Sequence, residues 1–260
     1  MSTLSVTIVQ TALHWHDADR NCDYFSRAID TLDELTDLIV LPEMFSTGFT
    51  MDAQSQAEQM NGPTVKWMRK TATNRNVFLC GSLIIEDNGH FYNRFILMRP
   101  DGSHEHYDKR HLFRYANEHR HYSAGAEIMT FEINGFRICP MICYDLRFPV
   151  WSRNRGRYDL LLYVANWPSP RHFAWKTLIR ARAIENMSFV AAVNRIGDDG
   201  NGNPYKGGSA IIDYFGKNIR SLGKKEGVAT AKLHLKELQA YRDKFAFHND
   251  ADEFLISTEE

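Results

Sequence analysis

Apolar runs of strand length alternate with stretches of helical spacing along most of the chain. The first run, "LSVTIVQ", reads as a buried strand, and the segment after it puts Tyr24, Phe25, Ala28, Ile29 and Leu32 on one helix face. "DLIVLPE" predicts a second strand stopped by Pro42, and "NGPT" opens a helix over 62–74 with Pro63 just inside it. "VFLCGSLII" and "FYNRFILMRP" flank "EDNGH", whose Asn-Gly pair predicts a hairpin, and Asp101-Gly102 then turns the chain into "HEHYDK". In the second half, "MTFEINGFRICPMICYD" predicts two strands joined at Asn134-Gly135, followed by a short helix from Pro149 to Gly156. A buried strand "DLLLYVANW", a long helix "HFAWKTLIRARAIENM", strands in "SFVAAVNRIG", "GGSAIIDYFG" and "VATAKLHL", and a helix "KELQAYRDKF" complete the pattern. Too many strands meet by hairpins for an all-parallel sheet, so the expectation is one α/β domain over residues 1–260 with a mixed or doubled sheet.

Composition adds little to this picture. Charged residues at 24% and hydrophobic ones at 43% are ordinary for a globular chain. A net charge of −1 gives no electrostatic reason to expect nucleic acid or an anionic membrane as partner. No apolar run approaches the ~18 residues of a membrane span. The opening "MSTLSVTIVQTALHW" is interrupted by Thr and Gln, unlike a secretory leader. Four cysteines are few for this length and suit reduced thiols, so a cytoplasmic location is expected. Cys139 and Cys143 on one strand would lie about 13 Å apart, beyond the reach of a disulfide.

Three segments bring reactive groups to strand ends, where ligand sites of α/β sheets concentrate. Glu43 follows "LIVLP", Lys109 ends "HEHYDK" and enters a long irregular loop that also holds Glu118, and Cys143 follows "FRICPMI". Taken singly, each has a plain reading: a loop carboxylate, a solvated ammonium, a small buried thiol. Cys139, on the strand body, keeps that reading. Strand ends of one sheet edge converge, however. A thiol with a carboxylate base and an ammonium to stabilise negative charge is a set for acyl transfer that requires no metal.

The stretches "LPEMF", "YDKRHLF" and "ICYDLRFP" resemble the Glu-Lys-Cys motifs of the nitrilase, or carbon–nitrogen hydrolase, superfamily, and "YVANWP" and "RARAIEN" resemble its downstream blocks in order. The likeness runs from "VTIVQ" to "DADEF". Within the superfamily, "CYDLRFPVWSRN", "NWPSPR" and "DGNGNPYKGGS" are most similar to the omega-amidase branch. The resemblance implies a four-layer αββα sandwich, a homodimer, no cofactor and a small-molecule amide substrate such as 2-oxoglutaramate. It implies Cys143 as nucleophile, Glu43 as general base, Lys109 and a backbone N–H near Tyr144 as oxyanion donors, and Glu118 as a second glutamate that positions substrate and Lys109.

For a 2-oxo acid, Asn166, Trp167, Arg171 and Arg114 are the expected substrate-binding residues. Arg147 is read as structural, paired with Asp145 or Asp159. Arg182 and Glu185, at i,i+3, are read as a helix-face ion pair. Histidines 104, 106, 111, 119 and 121 raise a metal site as a competing reading, but their spacing matches no His-Glu-x-x-His or Cys-x-x-Cys pattern. Other branches acting on nitriles, N-carbamoyl amino acids or biogenic amides, and a redox-sensing or scaffold protein with a merely reactive Cys143, are the remaining alternatives.

Overall fold

The computed structural model describes residues 2–32 and 35–256. Its strands form two six-stranded mixed sheets and one separate two-stranded hairpin. The first runs β14 (Gly227–His234), β1 (Thr3–Gln10), β2 (Leu38–Val40), β3 (Phe78–Asp87), β4 (His90–Met98), β5 (His104–Asp108). The second runs β13 (Asn218–Ser221), β12 (Ala210–Ile212), β9 (Phe189–Asn194), β8 (Leu160–Ala165), β7 (Phe136–Ile142), β6 (Phe131–Ile133). Each sheet has a parallel trio at its centre, β1-β2-β3 and β7-β8-β9, with antiparallel neighbours on both sides.

The sheets lie face to face. Val6, Ile8, Phe95, Leu97 and Tyr107 of the first share one core with Ile138, Met141 and Leu162 of the second. The Phe95 and Phe131 rings stack across this seam at 6.1 Å. On the outer side of the first sheet, helices α1 (Ala18–Asp30) and α3 (Pro63–Arg75) cover Val9, Ile39 and Leu79 with Phe25, Ile29, Val65 and Met68. Helices α4 (His172–Glu185) and α5 (Leu235–Phe245) pack with the second sheet through Trp175, Ile179 and Leu238. Each such buried aliphatic or aromatic side chain contributes about 1.5–3 kcal/mol. The four-layer αββα expectation is met.

Local chemistry explains why the elements begin and end where they do. Asn88-Gly89 and Asn134-Gly135 carry φ values of 53° and 79°, and 51° and 80°, the two positive angles a two-residue I′ hairpin needs. Helix α3 starts with Pro63 at its first turn, and the Glu58 carboxylate accepts from the Thr64 and Val65 N–H groups at 2.9 and 3.0 Å. Pro63 has no N–H and the Gly62 N–H donates to the Gln59 carbonyl, so these two bonds satisfy the donors left over at the helix start.

Three expectations differ from the structure. No helix follows Pro149. Residues 149–152 form turns, with Trp151 drawn inward so that its indole N–H donates to the Tyr107 hydroxyl at 3.1 Å. The helical turn lies before the proline, over Cys143–Arg147, as a 3-10 segment. The pattern also passed over the four-residue α2 (Ala53–Gln56) and the hairpin β10 (Ile196–Asp198) with β11 (Pro204–Lys206).

Candidate active site

Glu43 leaves the end of β2 after Leu41 and Pro42 and is 0% exposed. Its Oε1 accepts from Lys109 Nζ at 2.9 Å and from Asn93 Nδ2 at 2.7 Å, and its Oε2 accepts from the Asn166 backbone N–H at 2.8 Å. Lys109 follows β5, the strand that pairs with β4, and its N–H donates to the Asn93 carbonyl at 3.0 Å. Glu118 begins a short 3-10 turn after Asn117, and both its carboxylate oxygens accept from Lys109 Nζ, at 2.9 and 3.0 Å. One ammonium therefore sits between two fully buried carboxylates.

Asn93 was not foreseen from the sequence. It holds the cluster from below: Ser82 Oγ donates to its Oδ1 at 2.8 Å, while its amide reaches Glu43 and, at 3.4 Å, Glu118. The available signal was a lone amide inside the apolar strand "FYNRFILM".

Cys143 follows β7 in the opposite sheet and opens the 3-10 turn, so the thiol meets the cluster across the sandwich, not along the single sheet edge expected from the sequence. Its φ of 44° lies in the left-handed region, which a residue with a β-carbon occupies at a cost of about 1–3 kcal/mol. Asp145 holds this corner. Its buried carboxylate accepts from the Ile142 N–H at 2.9 Å, the Tyr107 hydroxyl at 2.8 Å and the His111 N–H at 3.0 Å. The Arg182 guanidinium, paired with Glu185 as the spacing predicts, also donates to the Leu146 carbonyl at 2.6 Å and braces the same turn. The Cys143 thiol lies 3.8 Å from the Asn166 carbonyl oxygen, and the Tyr144 N–H stands in the first turn, where no intrahelical acceptor exists.

The electrostatics follow from burial and from the charge count. Burial pulls the Lys109 ammonium down, but the Glu118 and Glu43 carboxylates outweigh it and hold the ammonium well above the ordinary lysine value. Burial raises the Glu118 carboxyl, against the pull of Lys109. The Cys143 thiol is pushed well above its ordinary value by burial and by the Glu43 carboxylate, more than Lys109 lowers it. The resting sulfur is thus S–H with a carboxylate beside it. Iodoacetamide labelling of Cys143 is expected to keep accelerating beyond the ordinary thiol value of 9.0, with no plateau below it. A plateau at neutral pH would indicate a resting thiolate instead.

These groups open onto a cavity of about 340 Å3 lined by Lys109, Cys143, Tyr144, Asn166, Trp167, Arg147 and Arg171, among others. A larger surface hollow of about 460 Å3 beside Arg155 and Phe254 shares none of these residues.

Of the expected substrate-binding residues, Asn166, Trp167 and Arg171 line the cavity; Arg114 is exposed and does not. Arg147 pairs with neither predicted aspartate. Asp145 is filled by the donors above, and Asp159 is taken by Arg242 at 2.7 Å and Arg137 at 3.2 Å. Arg147 lies instead over the Trp167 ring, 5.1 Å from its centroid. His104 and His106 lie on β5, and His111 bonds Asp145 through Nδ1 at 2.8 Å. Among the described residues, no three His, Cys, Asp or Glu side chains converge as a metal-ligand set.

A four-layer sandwich with a thiol on one sheet and a carboxylate–ammonium–carboxylate cluster on the other defines a class of thiol hydrolases. The carbon–nitrogen hydrolase model matches residues 5–243, and the chain belongs to that family. It is 46% identical to omega-amidase YafV of Yersinia enterocolitica over 258 residues, 98% of this chain and 100% of that one. It is 36% identical to 2-oxoglutaramate amidase of Bacillus subtilis over 219 residues, 82% of this chain and 84% of that one. XC1258 of Xanthomonas campestris, a CN-hydrolase superfamily protein with an arsenic adduct in its active site, superposes with a TM-score of 0.96. It shares 44% identity over 99% of this chain and 100% of that one. Saccharomyces cerevisiae Nit3, 22% identical with a TM-score of 0.82 over 94% of each chain, shares the fold.

Proposed function

We propose that this chain is an omega-amidase, hydrolysing the terminal amide of 2-oxo dicarboxylic acid monoamides such as 2-oxoglutaramate and 2-oxosuccinamate to the 2-oxo acid and ammonia. The observation that carries the chemistry is the Glu43–Lys109–Glu118 cluster buried beside Cys143 at the floor of one cavity. The substrate class draws on the amidases named above and on the cationic lining of that cavity.

In this reading the Cys143 sulfur attacks the amide carbon as its proton passes to Glu43. The carbonyl π electrons move onto oxygen, where the Lys109 ammonium and the Tyr144 N–H receive the charge. Donors of this kind are worth about 2.7–4 kcal/mol each to the transition state. The tetrahedral adduct collapses, the C–N bond breaks, and Glu43 returns its proton to the departing ammonia. Water, deprotonated by the same carboxylate, then adds to the thioester. Collapse expels the thiolate, which regains the proton from Glu43. Glu118 fixes Lys109 in line and, with Asn93, keeps Glu43 in place. The raised thiol fits this scheme: the nucleophile is generated by Glu43 only as the bond forms.

A panel of 2-oxoglutaramate, an aliphatic amide, a nitrile and an N-carbamoyl amino acid, read by ammonia release, tests the substrate class. Strong preference for 2-oxoglutaramate is expected, and equal rates across the panel would refute it. Hydroxylamine at saturating concentration should divert product to the hydroxamate, since it captures a thioester faster than water does. Hydrolysis with no hydroxamate would exclude the covalent route. The same reading takes the enzyme as a single catalytic domain and a cytoplasmic homodimer, the latter testable by sedimentation.

A further inference from the structure

The cavity lining contains three cations, Lys109, Arg147 and Arg171, and no aspartate or glutamate. Lys109 is committed to Glu43 and Glu118. The two arginines are not committed: among the described residues, neither forms an ion pair. Both rest on aromatic faces, Arg147 over Trp167 at 5.1 Å and Arg171 over Phe113 and Tyr115 at 5.2 and 5.8 Å. A guanidinium held over a ring keeps its N–H donors for other partners, and among the described residues neither side chain has a hydrogen-bond acceptor, so both are open to a carboxylate fork. Trp167 ties the two together, since its ring lies under Arg147 while its indole N–H donates to the Arg171 carbonyl at 2.8 Å. Arg94 and Arg242, by contrast, end on acceptors, on Asp108 and Asp159.

We infer that Arg147 and Arg171 form a paired clamp that discriminates a 2-oxo acid amide from the corresponding 2-amino acid amide. The inference rests on the omega-amidase reading and adds to it what the pocket refuses. A 2-oxo acid presents only acceptors at its far end, a carboxylate and a neighbouring carbonyl oxygen, which two N–H edges can satisfy together. Glutamine has the same chain length, the same terminal amide and the same carboxylate. It differs in placing an ammonium where the 2-oxo oxygen stands. That ammonium enters between two guanidinium charges and meets no lining carboxylate. Selection therefore works by repelling the wrong molecule as well as by holding the right one.

The test compares kcat/KM for 2-oxoglutaramate, L-glutamine and uncharged butanamide in the wild type, Arg147→Gln, Arg171→Gln and the two Arg→Lys variants. Each glutamine variant is expected to lower the 2-oxoglutaramate-to-butanamide ratio by about 10–100-fold, mostly through KM, as loss of a charge-assisted hydrogen bond does. The 2-oxoglutaramate-to-glutamine ratio should fall at least as far, with lysine restoring part of both. Ratios are taken within one variant, so partial misfolding, which depresses all three rates together, leaves them unmoved; where a glutamine variant fails to fold, the lysine variant supplies the comparison. Unchanged ratios in both variants would overturn the clamp, and a change confined to one arginine would overturn the pairing. A wild type that turns over butanamide as fast as 2-oxoglutaramate would instead overturn the substrate reading on which the clamp rests.

Discussion

Replacing Cys143 with alanine is expected to abolish ammonia release, a fall of more than about 10³-fold, while the protein stays folded. Alanine keeps the β-carbon, so the left-handed corner at φ 44° carries the same strain in both proteins. The bonds that hold the corner, from Asp145 to the Ile142 N–H and from Arg182 to the Leu146 carbonyl, do not involve the sulfur. Removing one Sγ from the half-buried Cys143 at a cavity wall costs little packing, under about 2 kcal/mol. Activity and stability should therefore separate cleanly, the first read by ammonia release and the second by urea unfolding. Cys143→Ser should be nearly as inactive, because Glu43 faces a far less acidic hydroxyl. Turnover retained in the alanine variant would remove Cys143 from the chemistry.

Lys109→Met should produce the largest loss of stability. It removes the ammonium between Glu43 and Glu118, both 0% exposed, and leaves two carboxylates facing each other. Breaking a buried ion pair by deleting one partner costs about 3–5 kcal/mol. The loss has a sign in pH. In the wild type, the raised Lys109 value gives stability that is complete below the ordinary lysine range and lost only as pH rises through the folded value. In the variant, two close buried carboxylates cannot both stay ionised, so the folded state holds protons that the unfolded chain releases. Its stability must then rise as pH falls, and the deficit against wild type should narrow between about pH 8 and pH 5. Urea unfolding of both proteins at the two pH values measures this. A deficit that stays constant would mean that the carboxylates are not coupled through Lys109.

How far the sequence reveals this arrangement depends on the length over which each signal acts. The hairpins at Asn88-Gly89 and Asn134-Gly135 were legible because two residues with positive φ settle them locally. The α3 start at Pro63 was legible for a similar reason. Glu43, Lys109 and Cys143 stood out because each follows a strand end. Asn93 did not, since an amide in an apolar strand gains meaning only when it lies beneath two carboxylates. Arg147 and Arg114 were misplaced because guanidinium direction depends on a turn's dihedrals. The 3-10 turn after Cys143 carries Arg147 to Trp167, whereas Arg114 ends at the surface. β10 and β11 escaped notice because they are short and largely exposed, with no apolar run to mark them, whereas the equally short β2 and β12 are buried throughout and lie in apolar stretches.

Glu43 and Lys109 extend from one sheet, and Cys143 and Asn166 from the other. A refolding chain with either sheet complete but the two undocked therefore holds a thiol without its base. Recovered turnover would report closure of that seam and nothing earlier, lagging any optical signal from the strands and helices themselves. During synthesis the same separation keeps the thiol without its base until the second sheet has docked on the first.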